Sequence, residues 1–325
     1  MKVLVTGGAG YIGSVVTEYL LKGGHEVIVG DDLSTGHRDA VDKRSHFMEL
    51  DLLDRQSVRE VLSEGIEAVC HFAAFSLVSE SMRDPVKYYR NNISGAVNLV
   101  EGMREEGVRY MVFSSTAAVY GEPEEIPITE QAALSPVNPY GNTKLAIEKL
   151  LVDSDSAYGI KSIFLRYFNA AGATEKHGED HRPESHLIPI ILDAAEGIRD
   201  EIVVFGDDYP TEDGTCIRDF IHVKDLATAH VLALEKLPKG GNGAFNLGNG
   251  KGFSVLEVID TASSVTGRKV PFRIGKRREG DPAVLVASSE KAGRVLGWKR
   301  DNSELKTIIE DAYSWRRRHP DGYLK

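Results

Sequence analysis

The sequence predicts an α/β protein: a Rossmann-type, doubly wound parallel sheet followed by a smaller C-terminal α/β lobe. Short apolar runs alternate with helical patterns through the first half of the 325 residues, as in βαβ units. A glycine-rich turn follows the first apolar run, where such a sheet binds its ligand. After about residue 169 the loops lengthen and become richer in proline, glycine and charge. We therefore assign 1–168 to the sheet domain and 169–325 to the lobe, and expect 217–237, which returns to a strand–helix pattern, to pack back on the sheet domain.

The composition is that of an ordinary soluble protein, with 42% hydrophobic and 27% charged residues. Its net charge of -10 disfavours nucleic-acid binding, which needs a basic surface. The sequence contains no run of about 18 apolar residues, so it predicts no membrane span. Cys70 and Cys216 are far apart and suggest a reducing compartment. We therefore expect a cytoplasmic protein that contacts neither nucleic acid nor membrane.

The first predicted strand, KVLVT at residues 2–6, runs directly into the glycine-rich turn of VLVTGGAGYIG. Gly7, Gly10 and Gly13 are spaced three residues apart. Glycines at this spacing allow a tight turn, close approach of the backbone to a pyrophosphate, and close packing of the next helix on the strand. The free N–H groups of that helix would face the phosphates.

An acidic residue closes the second predicted strand, EVIVG at 26–30. This residue, Asp31, lies about 18 residues beyond Gly13 and suits the ribose hydroxyls of a dinucleotide, while it would repel a 2′-phosphate. The glycine pattern alone also fits a structural turn, but its position and Asp31 together predict NAD rather than NADP. Asp51, further along the chain, is expected either to reach the adenine or to be a solvated acid.

Further buried strands are predicted at 67–72, 109–115 and 161–168. The clearest helix is predicted at 85–106, where Asp84 caps the start, Pro85 suits the first turn and Gly107 ends the helix. Its apolar stripe consists of Tyr89, Ile93, Val97 and Val100. The pattern does not decide whether this stripe serves the core or a dimer interface.

NPYGNTKLAIEKL places Tyr140 and Lys144 four residues apart at the start of a helix, so both side chains lie on one face. A free phenol has a pKa of about 10, and a neighbouring ammonium group favours its ionised form. The spacing alone fits an exposed surface pair equally well. FSSTAAVYG at 113–121, however, ends a strand where such a sheet keeps its site, and supplies the hydroxyls of Ser114 and Thr116.

Together, these motifs resemble those of the extended short-chain dehydrogenases/reductases and, within that class, of the UDP-glucose 4-epimerases, along essentially the whole chain. The class motifs are TGGAGYIG, HFAA, SSTAAVYG and PYGNTK; the narrower ones are LRYFNAAGA, FGDDYPTEDGTCIRDFIHV and RREGD. The resemblance implies inversion of C4 of a UDP-hexose, UDP-galactose or UDP-glucose, through a transient 4-keto sugar with tightly bound NAD. It also implies a homodimer.

The resemblance carries site residues over to this chain. It implies catalysis by Tyr140, Lys144 and Thr116. It implies contacts to NAD from Gly7, Gly10, Tyr11, Ile12, Gly13, Asp31, Asp51, Leu52, Phe72, Ala73, Ala74, Asn91, Ser114, Tyr140, Lys144 and Tyr167. It implies contacts to the UDP-sugar from Thr116, Tyr140, Phe168, Asn169, His186, Leu187, Arg218, Arg278 and Asp281. Arginines suit a diphosphate because their forked guanidinium groups bind its oxygens in pairs.

Two positions depart from the pattern. Ser76 stands where some relatives have a lysine near the nicotinamide, and Leu285 is intermediate between the tyrosine and the small residues found in other relatives. Epimerases of UDP-N-acetylhexosamines, UDP-pentoses or UDP-uronates therefore stay open as alternatives, as does a nucleotide-sugar 4-keto reductase. A dehydratase needs an acid pair after Thr116, where this chain has Ala117 and Ala118. A non-catalytic NAD-sensing module would have no need for Tyr140.

HGEDHRPESH at 177–186 contains three histidines and three acids. Their spacing matches no compact ligand pattern, so the sequence predicts no metal site.

Overall fold

The computed structural model describes residues 1–278 and 281–323. Its strands are β1 Lys2–Thr6, β2 Glu26–Asp31, β3 His46–Glu49, β4 Ala68–His71, β5 Tyr110–Thr116, β6 Lys161–Tyr167, β7 Asn169–Ala171, β8 Ile202–Phe205, β9 Ile217–Arg218, β10 Phe220–His222, β11 Gly243–Leu247, β12 Phe253–Ser254, β13 Phe272–Gly275 and β14 Val284–Leu285. Its helices are α1 Tyr11–Lys22, α2 Arg55–Leu62, α3 Val78–Arg83, α4 Pro85–Tyr88, α5 Gly95–Glu106, α6 Pro139–Tyr158, α7 Leu187–Glu196, α8 Val223–Lys236, α9 Val255–Thr266, α10 Glu290–Leu296 and α11 Leu305–Arg318.

The large sheet has seven parallel strands in the order β11-β6-β5-β4-β1-β2-β3. The chain moves outward from β1 to β3, returns to β4 beside β1, and then moves outward in the other direction. The strand order therefore reverses between β1 and β4, and this is where open α/β sheets bind ligands at the carboxyl ends of their strands. This topology confirms the predicted fold class.

Apolar side chains cover both faces of this sheet. On one face, α1 and α8 pack against each other and share a core with Val5, Val29 and Leu165 of the strands. On the other face, α2, α5 and α6 cover Leu4 and Phe113. Because the strands are buried on both sides, their sequences are continuous apolar runs rather than alternating ones, and this allowed their prediction.

The smaller lobe has its own core, formed by α7, α9 and α11. Short strands surround it: β7 pairs with β10, β8 with β13, and β9 lies between β12 and β14. Two segments beyond residue 168 belong to the sheet domain by their contacts. The helix α8 packs on α1, and β11 pairs with β6 as the edge strand of the large sheet. The sequence boundary at 168 thus assigned β11 to the lobe, whereas the structure places it in the large sheet.

The helix predicted at 85–106 is interrupted. Asp84 caps α4 by accepting a hydrogen bond from the Lys87 N–H at 3.1 Å, but a π-helical turn, Tyr89–Ser94, separates α4 from α5. This turn rotates the predicted apolar stripe, so that Val100 is buried while Tyr89 and Val97 are exposed. In the described residues, no helix is long and apolar enough to cross a membrane.

Candidate active site

The glycine-rich turn between β1 and α1 leaves no room for side chains. Gly7 has a φ of +71°, and a Cβ atom there would lie 2.6 Å from the Ala73 nitrogen. A Cβ atom on Gly13 would collide with the Gly7 carbonyl oxygen. The helix α1 follows at Tyr11; its N-cap residue, Gly10, provides no side-chain cap, and its first turn contains no acid. The turn and helix end therefore have the shape and the N–H groups that a pyrophosphate requires.

Asp31 lies beside this turn at the end of β2. Its carboxylate accepts hydrogen bonds from the Ala9 N–H at 3.0 Å and the Leu33 N–H at 2.9 Å, and burial raises its pKa. The acid thus fixes the turn and the following loop in one position. These observations together fit a bound NAD, with the pyrophosphate on α1 and the adenosine ribose at Asp31. Asp51 is exposed, and Leu52 packs under Gly95.

Loop 72–76 follows β4 and lies directly against the glycine-rich turn. The space beside this turn and this loop is the expected dinucleotide cleft. Phe72 and Ala73 both donate backbone hydrogen bonds to the Thr6 carbonyl, which ties the loop to the end of β1. The side chain of Asn92, in the π-helical turn, bonds both the N–H and the carbonyl of Phe75, at 3.0 and 3.1 Å. Asn92 thus holds loop 72–76 in place, a role that the sequence analysis did not predict. Asn91 lies next to it, and Ser76 is exposed.

The first turn of α6 lies in space beside the segment that follows β5. Asn138 caps it by accepting a hydrogen bond from the Gly141 N–H at 2.8 Å, and Gly141 packs so closely on the Ala118 carbonyl that a Cβ atom would lie 2.7 Å from it. This contact places the Tyr140 side chain close to Thr116, the last residue of β5. One turn further along α6, the Lys144 ammonium group donates to the Ser114 carbonyl at 2.8 Å.

Burial changes the proton affinity of both groups on α6. It raises the pKa of Tyr140 to about 12, although the hydrogen bond with Thr116 opposes this. It lowers the pKa of Lys144 to about 7, although Glu148 opposes this. The sequence suggested that Lys144 lowers the pKa of Tyr140, whereas in the structure burial is the largest influence and raises it. A cation placed beside the phenol, such as the nicotinamide ring, would act in the direction that the sequence analysis anticipated.

A buried ion pair lies behind Lys144. Glu148, one turn further along α6, binds Arg166 of β6 through two hydrogen bonds of 2.9 and 2.5 Å, and accepts a third from the Ser115 hydroxyl. Arg166 also donates to the Tyr120 hydroxyl at 2.9 Å. The sequence analysis missed this pair. Glu148 follows Lys144 by four residues, and this spacing could have indicated that both side chains lie on the same face of α6.

Aromatic rings form one wall of the cleft. The ring of His230, on α8, lies 4.8 Å from Phe72 and 6.1 Å from Tyr167. Burial lowers the pKa of His230 to about 4, so the ring is neutral. The Tyr167 hydroxyl forms a short hydrogen bond with Ser114. This wall joins two predicted cofactor residues, and His230 was not predicted from the sequence.

The predicted substrate-binding residues contact different parts of the protein. Arg218, on β9, forms an ion pair with Asp281. The guanidinium group of the exposed Arg278 lies 4.0 Å from the centre of the Phe205 ring. Phe168 and Leu285 pack against one small core that includes Val119, Tyr120 and Ile128, and Asn169 is exposed at the start of β7. Glu279 and Gly280 of the RREGD motif lie outside the described residues.

His186 and Leu187 stand at the start of α7, which has no side-chain cap and no acid in its first turn. His186 does not stand alone: it belongs to a cluster with Glu179, His181 and Glu184, whose nitrogen and oxygen ligand atoms all lie within 4.8 Å of one another. The sequence predicted no metal site here because it could not show that this loop folds back on itself.

The fold and the cleft are those of an NAD-binding enzyme of the short-chain dehydrogenase/reductase type. The model of the NAD dependent epimerase/dehydratase family matches residues 3–248, and the chain belongs to this family. A curated UDP-glucose 4-epimerase from Halalkalibacterium halodurans is 54% identical over 99% of this chain and 98% of its own. A crystal structure of a UDP-glucose 4-epimerase matches with a TM-score of 0.98 and 51% identity over the whole of both chains.

A second similar structure contains ligands. It is a UDP-glucose 4-epimerase from Bifidobacterium longum in complex with NAD+ and UDP, which matches with a TM-score of 0.95 and 37% identity over 99% of this chain and 100% of its own. The resemblance stated from the sequence motifs and the prediction of NAD as cofactor are thereby confirmed.

Proposed function

We propose that this protein is an NAD-dependent isomerase that inverts C4 of a UDP-hexose, converting UDP-galactose and UDP-glucose into each other. One observation carries the proposal: the half-buried Tyr140 lies close to Thr116 and one helical turn before Lys144, at the carboxyl end of β5. An epimerase needs a proton acceptor at this place. The relatives at about half identity over nearly the whole chain support the substrate class.

Each protein group then has a defined task. NAD, when bound, would supply the redox chemistry, which is reversible hydride transfer at C4 of the sugar. Tyr140 takes the proton of the 4-hydroxyl group and later gives it back, with Thr116 as hydrogen-bond partner. Lys144, fixed to the Ser114 carbonyl, holds the cofactor ribose and keeps its charge near the phenol. Positioning these groups supplies a large part of the rate acceleration.

The UDP part of the substrate binds to the lobe. Arg218, which Asp281 orients, supplies a forked cation for the diphosphate, and Arg278 supplies a second one. The free N-terminus of α7 at Leu187 adds backbone N–H groups beside His186. Phe168 and Leu285 border the sugar on the apolar side, with Asn169 beside them.

Assembly and location belong to the same proposal. We propose a homodimer in the cytoplasm, paired through the exposed faces of α5 and α6, where Val97 and Val152 are exposed by 38% and 54%. Cys70 and Cys216 are buried and unpaired, which suits a reducing compartment.

The first experiment incubates the purified protein with UDP-galactose, without added cofactor, and quantifies UDP-glucose. We expect conversion to an equilibrium mixture, and we expect Tyr140→Phe to slow it by at least about 100-fold, as for loss of a general acid–base group. Tyr158→Phe, an exposed tyrosine at the end of the same helix, is the matched control and should change nothing. Absence of conversion even with NAD supplied would refute the assignment, and dependence on added reduced cofactor would indicate a reductase instead.

A further inference from the structure

The loop before α7 folds so that two histidines and two glutamates face one point. The His181 Nδ1 atom lies 3.2 Å from a Glu179 carboxylate oxygen and 3.8 Å from a Glu184 oxygen. The His186 Nδ1 atom contacts the same Glu179 oxygen and lies 3.7 Å from Glu184. A tetrahedral ion with bonds of about 2.0–2.2 Å to nitrogen and oxygen has ligands roughly 3.3–3.6 Å apart. The cluster is therefore close to the size that such an ion requires.

Two ligand atoms of this cluster are buried without a hydrogen-bond partner. They are the His181 Nδ1 and the Glu184 Oε2. The other oxygen of Glu184 accepts hydrogen bonds from the N–H groups of Ser185 and His186, at 2.7 and 2.9 Å, which orients the carboxylate towards the cluster. Buried polar atoms normally have a partner, and the two residues that carry the unpartnered atoms here belong to a group whose ligand atoms lie within 4.8 Å of one another.

The charge of a dication matches this set of ligands. Two neutral imidazoles and two carboxylates around a dication form a neutral unit. The centres of the His181 and His186 imidazole rings lie 5.1 Å apart, so both rings border the same small space.

We propose that Glu179, His181, Glu184 and His186 form a binding site for a divalent transition-metal ion, with Zn²⁺ as the ion of first choice. Mixed imidazole and carboxylate ligands in a four-coordinate arrangement suit Zn²⁺, whereas Mg²⁺ and Ca²⁺ prefer oxygen ligands alone. With four protein ligands the ion has a structural role, because no position is left open for substrate water.

The position of the site explains what the ion would stabilise. The Tyr11 ring, in the first turn of α1, meets His181 edge-on at 6.3 Å, and His186 immediately precedes α7. The ion would therefore join the loop to the N-terminal ends of two helices that belong to different domains. It would hold these two anion-binding helix ends in a fixed relation, without a part in the chemistry at Tyr140.

The test uses untagged, full-length protein that retains its bound dinucleotide. The protein is incubated with a slight molar excess of Zn²⁺ and passed over a desalting column to remove unbound ion. Its metal content is then measured by mass spectrometry. We expect on the order of one Zn²⁺ per chain, and a thermal midpoint that rises with Zn²⁺ and falls with a chelator. Replacement of Zn²⁺ by Co²⁺ should give the visible absorption of a four-coordinate site. This measurement uses the unmodified protein.

Two variants locate the ion. His181→Ala combined with Glu184→Gln should weaken Zn²⁺ binding by more than about 10–100-fold, the loss known even for outer-sphere partners. His46→Ala, an exposed histidine outside the cluster, is the matched control and should bind Zn²⁺ normally. Zinc well below one equivalent together with no Co²⁺ absorption in the unmodified protein would overturn the proposal, as would full Zn²⁺ binding by the double variant. These readouts do not depend on epimerase activity.

Discussion

At the residue scale, Lys144 carries an amino group into the core beside the proposed reaction centre. Its side chain is 3% exposed, and its ammonium group has the Ser114 carbonyl as acceptor at 2.8 Å. Because burial disfavours the charged form, the pKa of this lysine falls to about 7. The charge that the proposed reaction uses is therefore present at a cost to the stability of the cofactor-free protein.

This cost gives a prediction for Lys144→Met. The unfolded lysine has a pKa near 10.4, so the shift corresponds to about 4–5 kcal/mol below pH 7, and this cost disappears as the pH rises from 7 towards 10.5. Loss of the hydrogen bond to the Ser114 carbonyl costs about 1–3 kcal/mol at every pH. In protein freed of NAD we expect the variant to be more stable by roughly 2 kcal/mol at pH 6.5, with the advantage lost above pH 10.

Urea unfolding at several pH values measures this difference. Lys149→Met is the control, because Lys149 is exposed on the same helix and should show no such pH dependence. A difference between Lys144→Met and the unmodified protein that stays constant with pH would contradict the argument.

At the scale of secondary-structure elements, the pair Glu148–Arg166 joins α6 to β6 behind the reaction centre. Both side chains are about 95% buried, and together they form hydrogen bonds with Ser115 and Tyr120. Removing one partner of such a pair leaves an uncompensated charge in the core, whereas replacing both by apolar groups is far less harmful.

The corresponding prediction compares single and double replacements. We expect Arg166→Met to lower the free energy of unfolding by about 3–5 kcal/mol, and Arg166→Met with Glu148→Leu to recover a large part of that loss. Chemical denaturation of the unmodified protein, the two single variants and the double variant measures this. If the double variant is as unstable as the sum of both single losses, the pair does not act as a unit.

The elements also show how far the sequence could be interpreted. Strands such as β1 and β5 are continuous apolar runs, and Asp84 and Gly107 mark helix ends by their own chemistry, so the local pattern was sufficient there. The π-helical turn was missed because its cause is distant: Asn92 bonds the backbone of Phe75 in another segment. The cluster around Glu179 was missed for the same reason. Asp31 and the glycine turn were predicted from spacing, whereas the assigned roles of Arg218 and Arg278 remain predictions.

At the scale of the whole molecule, the proposed dimer concerns two helices that pack side by side. The exposed valines of α5 and α6 cover a surface that the chain itself leaves to solvent. Exposed apolar side chains on two neighbouring helices are a feature of protein interfaces.

We predict that Val97→Glu combined with Val152→Glu separates the subunits. Light scattering coupled to gel filtration should give about twice 35.7 kDa for the unmodified protein and about 35.7 kDa for the variant, because a buried unpaired charge is costly in an apolar interface. Ile198→Glu, at a site 73% exposed after α7, is the control and should stay dimeric. A monomeric unmodified protein would refute the dimer.

The placement of β11 at the edge of the large sheet affects how the chain folds during its synthesis. The strand β6 ends at Tyr167, but its partner is complete only at Leu247, which is 80 residues later (247 − 167). At about 5–20 residues per second, the ribosome needs about 4–16 s for this stretch. During that time the backbone of β6 is an unpaired strand edge, which is the kind of surface that chaperones shield and that other nascent chains can join.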